Sequence, residues 1–231
     1  MSVWSSIIGT AAGLLLGTPT AAAASQLPSS PRRAIATQRG QVSFTIAAIA
    51  LAAKMAAADG FASPEEFATF ERLFEVTPGE RANAARFYRL AQGSTAGFEA
   101  YADQAAGLLG AASPVLEDLL EALLLIARLD GFHPDEDEFL RNVAARFGFD
   151  AAAYARIRAR HDDGAPDDAW AVLGVAPGSD AATRRAAYRT LVKQYHPDRQ
   201  IAAGLPIEFV RVAEARMASI NGAYASLRDA S

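Results

Sequence analysis

Cysteine is absent from the 231 residues. That removes disulfide frameworks, Cys-ligated zinc or iron–sulfur sites and thiol nucleophiles together. An excess of basic residues is lacking too. The formal net charge is −4, so the chain as a whole has no electrostatic footprint for nucleic acid. Gly 17 and Pro 11 are ordinary numbers, which excludes collagen-like and Pro-rich classes. No hydroxyl or paired-carboxylate partner lies at helical spacing from His161 or His196, so neither reads as a catalytic base and the chain does not read as an enzyme. What is present, 51% hydrophobic and 21% charged residues, is the balance of a folded protein.

The first 24 residues stand apart, with no Lys, Arg, Asp or Glu before Arg32. Ile7 to Gly17 is an uninterrupted run of small and apolar residues, shorter than the roughly 20 a helix needs to cross hydrocarbon. Gly9, Gly13 and Gly17 fall four apart, on one helix face, a pattern that permits close helix–helix approach. Three readings follow: a weak inner-membrane anchor or self-associating glycine-patterned helix that makes a homodimer, a leader without fixed structure, or a cleaved signal ending near Ala22-Ala23-Ala24. The last lacks a basic n-region. Under the anchor reading, Arg32, Arg33 and Arg39 keep the remainder, including the C-terminus, in the cytoplasm. Residues 25–40 are a linker by composition.

From Val42 to Arg160 the pattern is helical, rich in Ala and Leu, with few alternating β-branched runs. Ser63-Pro64-Glu65-Glu66, Thr77-Pro78-Gly79-Glu80 and Ser113-Pro114-Val115-Leu116-Glu117 each put a hydroxyl before a Pro and an acid in the first turn, which marks a helix start. The spacing predicts helices near 42–58, 64–74, 79–91, 95–109, 114–129, 135–147 and 150–161. Within this block Asp59-Gly60-Phe61, followed by Glu65 and Glu66, is echoed by Asp130-Gly131-Phe132, followed by Asp135, Glu136 and Asp137. Gly can end a helix in the left-handed region, and first-turn acids complement the macrodipole. Alternatively, Asp59 with Glu65 and Asp130 with Glu136 offer hard oxygen ligands to a divalent metal. On that reading the protein is a metal-responsive stress protein; on the first, no cofactor is required. His133, beside the second echo, reads as a solvated loop residue.

This duplicated turn resembles that of the tellurite-resistance-type (TerB-like) all-helical domain. The resemblance implies a seven-helix bundle over residues 41–161 and, in the family, an acidic metal-responsive pole. Residues 162–167, within the polar cluster His161 to Asp168, form the next linker.

The final stretch, 168–231, carries the chemistry. A short helix (Asp168 to Leu173) precedes a turn at Gly174 to Gly178 and a long helix, capped by Ser179 or Asp180, that runs to Tyr195. Tyr188, Leu191, Val192 and Tyr195 make one apolar face of it; Arg185, Arg189 and Lys193, four apart, make a basic face with no opposing acid. Pro197 disfavours helix at His196, so the long helix stops there. His196 sits at a helix C-terminus, where positive charge is favoured, and Asp198 projects from a stiff turn, suited to a bidentate Arg from a partner. A last helix near Ile207 to Leu227 presents Phe209, Val212, Ala213, Ile220, Tyr224 and Leu227 on one stripe, so the two helices make a hairpin with a small core.

Asp168-Ala-Trp-Ala-Val-Leu-Gly-Val175, Ala187-Tyr188-Arg189, Tyr195-His196-Pro197-Asp198-Arg199 and Ile220-Asn221 with Ala223-Tyr224 together resemble a J-domain. The extra loop from Gln200 to Glu208, the upstream TerB-like block and the glycine-patterned leader further resemble the membrane-anchored, DjlA-type subfamily of DnaJ-like proteins. The fold expected is therefore all-α, a seven-helix bundle followed by a small J-domain hairpin. The resemblance implies a co-chaperone that docks on a DnaK/Hsp70-type partner and stimulates its ATP hydrolysis. Carried onto this chain, Arg185, Tyr188, Arg189 and Lys193 form the docking face, and His196, Pro197 and Asp198 the signalling turn, with Arg199 beside it. Trp170 stands where the family usually has Tyr, and Thr190 where a basic residue is common. With neither a Gly/Phe-rich segment nor a Cys zinc module, a general client-holding role is not supported.

Overall fold

The computed structural model describes residues 38–58, 64–74, 76–93, 95–129, 131–160, 169–202 and 209–229. The leader, and with it the anchor and homodimer readings, lies outside these residues, as do Asp59, Asp130 and His161. Among the described residues every regular element is a helix. The first seven are α1 (Gln38–Met55), α2 (Pro64–Leu73), α3 (Arg81–Ala91), α4 (Phe98–Leu109), α5 (Pro114–Ala127), α6 (Pro134–Arg146) and α7 (Ala151–Ala159). They follow the predicted seven within a few residues at each end.

Helix α1 is the centre of the bundle. From Phe44 to Ala56 it has no solvated face, which is what an all-round apolar helix must become in water. Its alanines let α3, α4, α5 and α6 pack closely around it. An aromatic group then closes one side: Phe70 meets Phe74 at 4.7 Å and Tyr88 at 5.3 Å between ring centroids. Helix α4 begins at Phe98, later than the sequence pattern predicts, because Gly97 takes a left-handed φ of 79° just before it.

The C-terminal part contains α8 (Ala169–Leu173), α9 (Ala181–Tyr195), α10 (Pro197–Ala202) and α11 (Val210–Asp229). Asp180 caps α9 by accepting from the Thr183 N–H at 2.7 Å. Ala169, Leu173, Tyr195, Ile220, Ala223 and Leu227 form the hairpin's own core, with Trp170, Tyr188 and Leu191 packed against it. Two sequence expectations change here. The stretch after Pro197, read as part of a turn and loop, begins as the short helix α10. The stripe of α11 is also split, because Phe209 and Val212 belong to the core of the upstream bundle. Phe209 packs at a tilt against Phe44, 4.7 Å between ring centroids, and edge-on against Phe74 at 4.9 Å. The start of α11 is therefore a joint between the two halves, while its later turns close the hairpin.

Candidate functional site

The corner between α9 and α10 is held by backbone geometry. His196 ends α9, its N–H still bonded to Val192 O at 3.1 Å, in an extended conformation of φ −62° and ψ 124°. Pro197 is the first residue of α10, where its missing N–H costs nothing. The imidazole Nδ1 of His196 accepts from the Asp198 N–H at 3.2 Å, so His196 caps α10 while ending α9. That bond occupies Nδ1 as an acceptor and leaves Nε2 as the ring nitrogen outside the cap. Asp198 is free to reach a partner, its side chain 86% exposed and 3.8 Å from the His196 ring. Arg199 turns back and donates to Lys193 O at 2.6 Å, tying α10 to the last turn of α9.

Arg185, Arg189 and Lys193 are exposed along α9, and none of them forms an ion pair among the described residues. Thr190 is exposed between them and spends its hydroxyl on Ala186 O at 3.0 Å. Tyr188 differs from its neighbours. Its ring stacks on Tyr224 at 4.2 Å and 10°, and its hydroxyl donates to Asn221 Oδ1 at 3.0 Å. It thus joins the basic face to the hairpin core. Arg185, Arg189 and Lys193, four residues apart, share one exposed face of α9, and the corner of His196, Pro197 and Asp198 follows that helix directly.

The metal candidates are placed differently. Glu65 is exposed in the first turn of α2. Glu136 is buried and its Oε2 accepts from the His133 N–H at 3.0 Å, while His133 Nδ1 accepts from the Asp135 N–H at 3.3 Å: a reciprocal capping box. Gly131 takes a positive φ of 107°, but α5 has already ended at Ala127 with Arg128 as its C-cap, so this glycine shapes the loop before α6 rather than ending the helix. Among the described residues no group of three or more His, Asp or Glu side chains is arranged to hold a metal ion. His133, expected as a solvated loop residue, is a helix cap.

His133-Pro134-Asp135 is thus a second copy of the same tripeptide, in the same local geometry, and sequence reasoning passed it over. In one copy the third helical residue is Glu136, which closes the box; in the other it is Arg199, which caps α9 instead. The tripeptide by itself is a capping device, and what sets the second copy apart is the basic helix before it.

Sequence reasoning also missed a polar cluster joining the two halves. Glu117 was read as a helix-start acid, yet it is buried and faces α9 and α11. Tyr195 Oη donates to it at 2.6 Å, Arg160 at 2.7 Å and Arg216 at 2.7 Å. Glu121 takes Arg160 at 2.7 Å and pairs with Arg216. Arg216 lies over the Tyr195 ring at 4.5 Å. Asp118 accepts from Gln200 Nε2 at 3.2 Å. Burial would raise Glu117, but the Arg216 charge and the bonds from Tyr195, Arg160 and Arg216 outweigh it and hold its carboxyl at about 2. Asp118 has burial as the dominant influence, against Arg216, and is pushed up to about 7. The available signal was three acids at 117, 118 and 121 in a helix otherwise apolar enough to be core.

Two helical units, one a bundle around a single apolar helix and the other a hairpin bent at an exposed His-Pro-Asp corner, define the class. The chain belongs to the proteins that join a TerB domain to a C-terminal DnaJ domain: the family described as Tellurite resistance protein TerB matches residues 45–159, and the DnaJ domain matches residues 168–231. It is similar to Co-chaperone protein DjlA of Escherichia coli (strain K12), 31% identical over 129 residues, with 46% of this chain and 48% of that protein covered. The protein of that name from Vibrio parahaemolyticus is 29% identical over 140 residues, with 48% of this chain and 49% of the relative covered. The one from Photorhabdus laumondii is 46% identical over 57 residues, 25% of this chain and 21% of the relative. The chain spans about half the length of the first two of these curated relatives and less of the third. No solved structure matches. Among the described residues no helix is long and apolar enough to cross a membrane.

Proposed function

We propose that the chain is a co-chaperone regulator, without an active site of its own, that docks on a DnaK/Hsp70-type partner through the basic face of α9 and stimulates its ATP hydrolysis through the His196-Pro197-Asp198 corner. The observation that carries this reading is the exposed Asp198 carboxylate, on a backbone held by a helix cap, at the end of a helix whose Arg185, Arg189 and Lys193 are open to solvent. Opposite charge on the partner steers encounter, and a carboxylate in a stiff turn presents two acceptors to a guanidinium without first being ordered. The name of the relatives, Co-chaperone protein DjlA, supports the same class of activity. The leader's role as an inner-membrane anchor or self-association helix belongs to this reading as well, and rests on the residue pattern of 1–24.

The test is a single-turnover ATPase assay with a DnaK-type partner. Asp198→Asn and His196→Gln abolish stimulation while helical content by circular dichroism stays at the wild-type level. Asp135→Asn, in the twin tripeptide, leaves stimulation intact. Normal stimulation by the Asp198→Asn protein would end the assignment.

A further inference from the structure

We propose that the TerB bundle positions the His-Pro-Asp turn, with Glu117 and Asp118 of α5 as positioning residues; the inference rests on the co-chaperone reading above. The turn is bracketed by two buried side chains, Tyr195 immediately before His196 and Gln200 two residues after Asp198. Both reach the same pair of consecutive residues in the other domain: Tyr195 Oη to Glu117 at 2.6 Å and Gln200 Nε2 to Asp118 at 3.2 Å. Arg216 seals the Tyr195 ring against this pair from above, 4.5 Å from the ring centroid.

The division of labour is clear from the twin tripeptide. His133 and His196 make the same bond to the N–H two residues on, at 3.3 and 3.2 Å, so the local cap needs no help from another domain. What α5 adds is the fixing of both ends of the corner, the last residue of α9 and the second turn of α10, to one rigid helix. The bracketing residues are buried while His196 is half exposed and Asp198 almost wholly so. The clamp therefore orders the turn without covering it, and a preordered group loses less freedom on docking. Such a clamp acts on what the docked turn transmits, whereas the exposed basic face acts on capture.

The full chain is titrated into the single-turnover ATPase assay. Tyr195→Phe removes one hydroxyl and keeps the ring beneath Arg216; Asp118→Ala removes the other anchor. Both lower the stimulation plateau about three- to tenfold with the half-saturating concentration within about twofold of wild type, a split that a general loss of folded protein does not give. Asp118→Asn, which still pairs with the Gln200 amide, retains the plateau. Where Asp118→Ala does not fold, Tyr195→Phe with an unchanged melting midpoint decides alone. A Tyr195→Phe plateau equal to or above wild type overturns the clamp, as does an Asp118→Asn loss as deep as that of the alanine variant. Stimulation surviving Asp198→Asn would instead sink the co-chaperone reading, so the two failures are distinguishable.

Discussion

Arg189 occupies the middle of the exposed face of α9, four residues from both Arg185 and Lys193. Charges so open to water gain little from any single contact, because solvent and salt screen them; their joint field acts mainly on the rate of encounter. At about 0.1 M salt the field extends roughly 10 Å, and at about 1 M only some 3 Å. Reversing the sign at the centre of the stripe should therefore be felt most when screening is weak. Arg189→Glu is expected to reduce binding to a DnaK-type partner more at low salt than at high salt, read as association rate by surface plasmon resonance. Equal losses at both salts would remove steering as the role of this residue.

Among the elements, α11 has two tasks that its sequence presents as one stripe. Its later turns, through Ile220, Ala223 and Leu227, close the hairpin, and its beginning, with Phe209 just ahead, enters the aromatic group of Phe44 and Phe74. Phe209→Ala is expected to cost about 3–5 kcal/mol in chemical denaturation, the usual range for a buried ring replaced by a cavity. The loss should fall on the bundle transition, since the ring lies in the bundle's core. A cost below about 1 kcal/mol would mean that the two halves are not joined there. Helix existence along the chain was legible because Ala- and Leu-rich periodicity and prolines at helix starts are local signals. The corner at 196–198 was legible for the same reason. The partition of the α11 stripe was not, because Phe209 and Ile220 look alike in periodicity and only tertiary packing decides which core each enters. The acids of α5 escaped notice likewise: Glu117 satisfies a local rule for helix starts, and its true partners lie in sequence as far away as Tyr195 and Arg216.

At the scale of the whole molecule, the two domains meet across carboxylates whose proton affinities have been driven apart. Glu117 is held at about 2, so its contribution is present above its ordinary value of 4.5 and is lost as pH falls toward 2. Asp118 behaves in the opposite sense. Burial pushes it from 3.8 up to about 7, so the folded protein holds a proton that the unfolded chain has released, and stability falls as pH rises between those values. The groups facing it are Arg216 from α11, which favours the charge, Glu117 and Glu121 on its own helix, which oppose it, Tyr195 at the end of α9, and Gln200 on α10. Two buried oxygens at this contact have no hydrogen-bond partner, Asp118 Oδ1 and Gln200 Oε1. A carboxylic acid and a primary amide can pair through two hydrogen bonds, and only the protonated acid supplies the second. Asn at this position mimics the neutral acid at every pH. The stability difference between Asp118→Asn and wild type, measured by urea denaturation, should accordingly be small below about pH 4, grow in favour of the variant up to about pH 7 by on the order of 1 kcal/mol for each pH unit, and then level off. A difference that stays flat from pH 5 to 8 would show that Asp118 is already ionised at the lower end, and that Arg216 outweighs burial at the joint between the two domains.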